Sequence, residues 1–252
     1  MTHLLLINPN ISDSVSDLIR SEAQRAASPG TQIDVLTAPF GVAYIETRFE
    51  ALIGAYATAQ LAAEHHMHYD AVVVAAFGDP GLGGLKEALP CPVVGLTEAA
   101  LASACLLGGR FSIVAISQRI TAWYRETVQH CGLESRLASI RALDEPLQDI
   151  GNVQGNQGER LQLLAERCVA QDGADVIVLA GAPLAGLARS IADHFPVPVV
   201  DGVSSAVRHA ESLVALNVRA ARAGSYQPPP HKSNQGLPDS ISQLLAGANS
   251  RH

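Results

Sequence analysis

Val72-Val73-Val74-Ala75-Ala76-Phe77-Gly78-Asp79-Pro80-Gly81-Leu82-Gly83-Gly84-Leu85, followed by Leu89-Pro90-Cys91-Pro92-Val93-Val94-Gly95, returns later in the chain. The second copy is Val176-Ile177-Val178-Leu179-Ala180-Gly181-Ala182-Pro183-Leu184-Ala185-Gly186-Leu187, followed by Phe195-Pro196-Val197-Pro198-Val199-Val200-Asp201-Gly202. Each copy reads as strand, glycine-rich turn, helix, Pro-x-Pro, strand. Val74 and Val178 lie 104 residues apart, and Pro92 and Pro198 lie 106 apart. A period of about 105 residues is too long for a solenoid and implies two homologous lobes related by a pseudo-twofold axis.

The same alternation continues on either side. Leu4-Leu5-Leu6-Ile7 is a short apolar run stopped by Asn8-Pro9-Asn10, as expected of a strand buried on both faces. Ser12-Asp13-Ser14 offers N-cap oxygens to a helix with Val15, Leu18, Ile19 and Ala23 at helical spacing. Further strands are expected at Gln32–Leu36, Ala71–Ala76, Pro92–Leu96, Phe111–Ile116, Ser139–Leu143, Asp175–Leu179 and Val197–Val200. Helices are expected at about Thr47–His66, Thr121–Cys131, Gly158–Gln171, Leu184–His194 and Val203–Leu216. Strands separated by single helices mean parallel β-α units. The fold class is therefore α/β: two pseudo-symmetric lobes, each a short, mainly parallel sheet flanked by helices, with the site in the cleft between them. Residues 1–100 with 203–220 are read as the first lobe, 101–202 as the second, and 221–252 as a Pro-rich polar tail with one short helix at Ser240–Leu245.

Composition narrows the function. Apolar residues make up 48% of the chain, which excludes intrinsic disorder. Asp and Glu exceed Lys and Arg by 24 to 17, and no basic run exists, so nucleic acid is not an expected partner. Aromatic residues, at 4%, are too few for a base-stacking platform. Apolar runs stay well short of the ~18 residues of a membrane span, and Met1-Thr2-His3 with four apolar residues behind it does not read as a signal peptide. Cys91, Cys105, Cys131 and Cys168 form neither C-x-x-C nor a zinc-ligand spacing, and suit a reducing cytoplasm. His65 and His66 cannot share one helix face, so no metal site is expected there. Gly81-Leu82-Gly83-Gly84 lacks the dinucleotide-binding spacing.

In parallel sheets, ligands bind beyond the carboxyl ends of the strands. The two glycine-rich turns sit at such ends, and each offers backbone N–H groups at a helix N-terminus, where an anion is favoured. Asn8, Asn10, Gly41, Ser117, Asp201 and Gly202 follow other strands and are expected on the same rim. A small anionic or polar carbonyl ligand between the lobes is the physical expectation.

Ile7-Asn8-Pro9-Asn10, Tyr44-Ile45-Glu46 and Phe77-Gly78-Asp79-Pro80-Gly81-Leu82 resemble the aspartate/glutamate/hydantoin racemase superfamily, nearest its hydantoin and allantoin racemases; the likeness spans residues 3–217. The resemblance implies catalysis without metal or organic cofactor, homo-oligomers, and one cysteine on each turn, placed on opposite faces of the substrate's Cα. This chain carries Ala76 and Gly181 at those positions, so the two-thiol mechanism does not transfer. The backbone frame remains: Gly78 and Asp79 in one turn, and Gly181 and Ala182 in the other, are expected to donate N–H groups to an enolate or carboxylate oxygen. Ala76, Phe77, Tyr44, Asn8, Asn10, Ser117 and Gly202 are expected to line the site.

Oxygen acids must then replace the thiols. Asp79, Glu46 and Asp201 are the candidates, each set against a capping role at a nearby helix. The resulting expectation is a cofactor-independent isomerase acting at a carbon next to a carbonyl of a hydantoin-like or amino-acid-like substrate. Two alternatives stand beside it: a non-catalytic small-molecule binder of the same fold, and a decarboxylase or other lyase.

Overall fold

The computed structural model describes residues 1–144, 149–218 and 220–247. In chain order the elements are β1 (His3–Asn8), α1 (Asp13–Ala26), β2 (Gln32–Thr37), α2 (Arg48–His65), β3 (Ala71–Val74), α3 (Leu82–Ala88), β4 (Val93–Gly95) and α4 (Leu96–Leu107). They continue as β5 (Phe111–Ala115), α5 (Thr121–His130), β6 (Leu137–Ala142), α6 (Val153–Ala170), β7 (Val176–Leu179), α7 (Leu187–Ile191), β8 (Val199–Asp201), α8 (Gly202–Ala215) and α9 (Asp239–Gly247). The strands form two four-stranded sheets of order β2-β1-β3-β4 and β6-β5-β7-β8. Every pairing is parallel.

Burial explains the strand sequences. Leu4 to Ile7, Val72 to Val74 and Val176 to Leu179 are all inaccessible to solvent. A strand covered by helices on both faces needs a continuous apolar run rather than an alternating one. Helix ends follow their caps: Ser12 Oγ accepts the Val15 N–H at the start of α1. Thr47 and Glu50 form a reciprocal capping box at the start of α2.

Register fixes how the lobes correspond. Val74 pairs with Gly95, and Leu179 with Asp201. The structural equivalent of Val74 is thus Leu179, one residue beyond the Val178 suggested by matching valines. Gly81 and Gly186, left-handed glycines (φ +80° and +81°) that start α3 and α7, obey the same 105-residue offset. Gly186 also interrupts the helix expected to run from Leu184 to His194. Ala76 is matched with Gly181, and Phe77 with Ala182.

The lobes exchange helices. After β4, α4 packs on β7 and β8 of the second sheet, and after β8, α8 returns to β3 and β4 of the first. The two crossing helices meet at their N-termini, where a Cβ on Gly202 would lie 2.8 Å from Leu96 Cβ. The segment after Tyr226 is not merely a polar tail. Its helix α9 docks on α2, and Leu244 packs against the cluster of Leu5, Ile7, Leu61 and Val74. The last five residues of that segment lie outside the described residues. No helix among the described residues is long and apolar enough to cross a membrane.

Candidate active site

The turn after β3 and the turn after β7 are fastened to each other's lobes. Phe77 is buried in the second lobe's cluster with Ala115, Ile120 and Tyr124, its ring 4.8 Å from that of Tyr124. Its equivalent, Ala182, is buried in the first lobe's cluster with Leu4, Leu6, Val15 and Ile19. This reciprocal insertion brings both turns to one seam. Trp123 closes over the first turn: a Cβ on Gly78 would sit 2.3 Å from its ring.

The seam sorts the backbone amides. The Gly78 N–H donates to Thr97 Oγ1 at 2.6 Å, and the Asp79 N–H to the Ala76 carbonyl at 3.2 Å. The two first-turn amides expected to hold an oxyanion, those of Gly78 and Asp79, are thus committed internally. The N–H groups of Ala76, Phe77, Gly181 and Ala182 find no acceptor among the described residues. The uncommitted amides therefore form two matched pairs, one on each turn.

Asp79 sits in the left-handed region at φ +48°. Its carboxylate accepts the Thr97 N–H at 2.8 Å and the Glu98 N–H at 2.9 Å, capping α4 from outside the helix. Only glycine fits at the adjoining N-cap, because a Cβ on Gly95 would lie 2.3 Å from Asp79 Cγ. Burial pushes the Asp79 carboxyl up to about 7, against the pull of the two amides. In the second lobe the N-cap residue itself is the acid: Asp201 Oδ1 accepts the Ser204 N–H at 2.9 Å, and burial raises its pKa too. Each lobe thus brings one carboxylate to the N-terminus of its crossing helix, from different positions in the repeat. Asp201 has Glu22 and Arg25 as charged neighbours, whereas Asp79 has Glu98, with Tyr124 also within its electrostatic reach. Neither acid is among the charged neighbours of the other.

Asn8, Asn10 and Ser117 organise the rim from within. Asn8 Nδ2 donates to Ser16 Oγ at 2.9 Å and to Asn10 Oδ1 at 3.2 Å, while Asn10 Oδ1 also accepts the Ser12 N–H at 2.9 Å. Ser117 Oγ accepts the Arg119 N–H at 3.2 Å. Gly202 is spent on the helix crossing.

Tyr44 and Glu46 behave differently. The Tyr44 hydroxyl is buried and has no hydrogen-bond partner. Burial, with Tyr124 and then Glu46 nearby, holds this phenol well above its usual range, so it stays a donor. Burial likewise raises Tyr124, whose charged neighbours are Asp79 and Glu46. The half-buried Glu46 donates its backbone N–H to Glu50 Oε2 at 2.8 Å, but its carboxylate makes no hydrogen bond or ion pair among the described residues. Tyr44, Tyr124 and Glu46 form one cluster beside the first turn. Sequence reading missed Tyr124, Trp123 and Thr97. It also missed Gln154, whose Nε2 ties down the second turn by donating to the Pro183 and Ala185 carbonyls at 2.8 and 2.9 Å. None of the four stands in a motif; only proximity in the fold marks them.

Two parallel sheets built from an internal repeat, with interlocked turns at the strand ends, define a pseudo-symmetric two-lobed α/β protein. The chain belongs to the Asp/Glu/hydantoin racemase family, whose model matches residues 4–210. A hydantoin racemase of Paenarthrobacter aurescens is 37% identical over 231 residues, covering 91% of this chain and 98% of the relative. Allantoin racemase from Klebsiella pneumoniae superposes with a TM-score of 0.91 at 33% identity, covering 96% of this chain and 99% of that one. Allantoin racemase from Pseudomonas fluorescens gives 0.84 at 34% identity, covering 93% and 100%.

Proposed function

We infer that the protein is a cofactor-independent isomerase that exchanges a proton at a carbon next to a carbonyl, in a small hydantoin-like or amino-acid-like substrate held at the seam. The observation that carries this reading is the buried, partnerless Tyr44 hydroxyl beside the uncommitted Glu46 carboxylate. An orphaned buried donor costs roughly 1–3 kcal/mol, a cost removed when a substrate oxygen accepts its hydrogen bond. Glu46 takes the Cα proton from one face, water delivers one to the opposite face of the enolate, and the hydroxide left behind takes the proton from Glu46. Tyr44, Tyr124 and the paired amides of Ala76/Phe77 and Gly181/Ala182 stabilise the enolate oxygen or the neighbouring anionic group. Asp79 and Asp201 support the site by holding the crossing helices rather than by touching substrate. Ala76 and Gly181, standing where the resemblance implies thiols, leave room for a bulkier ring.

Single-enantiomer hydantoins and allantoin, incubated in D₂O, test the reading. Loss of optical rotation with deuterium entering at the ring carbon is expected, and Glu46→Gln lowers that rate by about 10²-fold or more. A ligand that raises Tm and is recovered unchanged, with neither deuterium nor inversion, would instead make the protein a binder. We assign it to the cytoplasm, in keeping with four free thiols, and read it as a homo-oligomer.

A further inference from the structure

The repeat leaves one fastening unmatched. In the first turn, Asp79 reaches across to cap α4. The 105-residue offset puts Leu184 at the equivalent place in the second turn, and its side chain is buried among Ile177, Leu179 and Leu187. Gly181 to Gly186 carries no polar side chain that could bond the crossing helix α8, which is capped from within by Asp201. Glu22 of α1 stands in that gap and exposes only 4% of its surface. Its Oε1 accepts the Ser204 hydroxyl at 2.5 Å in the first turn of α8, and its Oε2 lies against Gly186, where a Cβ would be 2.9 Å away. Arg25 of α1 donates to both oxygens, its Nε to Oε2 at 2.9 Å, and Arg189 of α7 pairs with Oε2 at 3.8 Å. Burial opposes a charge here, but the hydrogen bonds from Arg25 and Ser204 hold the carboxyl below its usual range, so Glu22 is an anion. Buried ion pairs add little net stability over well-packed apolar residues, whereas their hydrogen bonds fix direction.

We propose that Glu22 is the positioning residue of the second turn: it supplies from α1 the clamp that Asp79 supplies in the first, and so fixes where the Gly181 and Ala182 amides point. Its effect on rate rests on the catalytic reading above; its effect on the turn does not. Glu22 acts through Gly186 and Ser204. Ala182 and Ala185 already share a cluster with Val15, Ile19 and Ala23 of α1, so the helix that carries Glu22 packs directly on the turn. Within the turn, the Leu184 and Ala185 N–H groups donate to the Gly181 and Ala182 carbonyls, both at 3.0 Å. These bonds tie the two uncommitted amides to the segment that ends on Gly186. Gln154 holds that segment through its carbonyls from the side of α6, and Glu22 holds its end. Glycine is required at 186 for two reasons: its φ of +81° is left-handed, and any Cβ would displace the Glu22 oxygen.

Peptide-resolved hydrogen exchange on the full chain tests the clamp, with the Leu184 and Ala185 amides as reporters. In Glu22→Ala, exchange over residues 180–187 should rise about tenfold or more, while residues 75–81 of the first turn keep the wild-type rate. Glu22→Gln keeps an acceptor for Ser204 and should raise it by less than about threefold. If Glu22→Ala does not fold, Glu22→Gln with Ser204→Ala removes the same bond without a cavity and carries the same expectation. Glu211→Ala is the control. This acid also joins α1 to α8, through Ser28 and Thr31, but about two helical turns beyond Ser204, and its loss should leave 180–187 unchanged. Unchanged exchange in Glu22→Ala, a rise of equal size across the whole chain, or the same local rise in Glu211→Ala would each overturn the proposal. In substrate proton exchange, Glu22→Ala should lower kcat about tenfold with KM within about twofold, and Glu22→Gln should recover most of it, because the amides serve the transition state. A local rise in hydrogen exchange with kcat unaltered would overturn the link from clamp to amides. If the wild type moves no substrate proton, the catalytic reading fails, and the hydrogen-exchange result by itself decides whether Glu22 positions the turn.

Discussion

Tyr44 is the residue at which folding and function pull apart. Its hydroxyl is buried without a partner, so removing that one oxygen should help the empty protein. Tyr44→Phe is expected to raise unfolding stability by about 1 kcal/mol, read by urea titration, while weakening substrate binding about tenfold. A variant that loses stability and binds normally would show the hydroxyl to be structural. Asp79 presents the opposite case, a polar group fully occupied. Folding raises its carboxyl from 3.8 to about 7, so the folded state holds that proton more tightly than the unfolded chain does. Its contribution is therefore complete below pH ~4 and is lost as the pH climbs through about 7. Asp79→Asn stays neutral throughout and lacks this dependence. The stability difference, wild type minus variant, should shrink between pH ~4 and pH ~8. An advantage that grew with pH would mean that the two helix amides, not burial, govern the carboxyl.

At the scale of elements, the first turn and α4 behave as one unit, because Asp79 caps a helix to which it does not belong. Gly95→Ala drives a Cβ to within 2.3 Å of Asp79 Cγ and should cost at least about 2 kcal/mol. Asp79→Ala removes the cap but also the obstacle, so the double variant should be more stable than the sum of the two losses predicts. Additivity in that cycle, measured by urea unfolding, would count against the staple. This unit also shows what the sequence could reveal. Both glycine-rich turns, the Pro-x-Pro strands and the crossing helix α8 were legible, since doubly covered strands must be apolar throughout and left-handed caps favour glycine; α4, the other crossing helix, was not among the expected helices. Candidate residues came from two sources: Asp79 from its place on a turn at a strand end, Tyr44 and Glu46 from the family resemblance. What each one bonds was not legible. Apolar patterning reports which side faces the core, but nothing in Thr97, Trp123 or Tyr124 announces that a turn about twenty to fifty residues upstream will lie against it. For the same reason the repeat was legible but its register slipped by one, valine matching valine where the pairing matches Val74 with Leu179.

Across the whole molecule, the two lobes cohere through exchange: α4 and α8 cross, and Phe77 and Ala182 trade places between clusters. The exchange is unequal in size. Ala182 contributes a single methyl to the first lobe, whereas Phe77 fills the second lobe with an entire ring against Tyr124. Phe77 should therefore carry most of the energetic coupling that flows through the turns. Phe77→Ala removes a fully packed aromatic side chain, a loss of about 3–5 kcal/mol in cores generally. Here part of that loss falls on the seam itself, so the lobes should stop unfolding as one body. The chain has a single tryptophan, Trp123, which lies in the second lobe directly over the first turn. Its fluorescence reports the seam, while far-UV circular dichroism reports the helices of both lobes. In the wild type the two urea curves should coincide, as two-state unfolding requires. In Phe77→Ala the fluorescence transition should come first, with a reduced m-value, because less surface is exposed in each separate step. Coincident curves in the variant, shifted together to lower urea, would mean that the crossing helices alone bind the lobes into one cooperative unit.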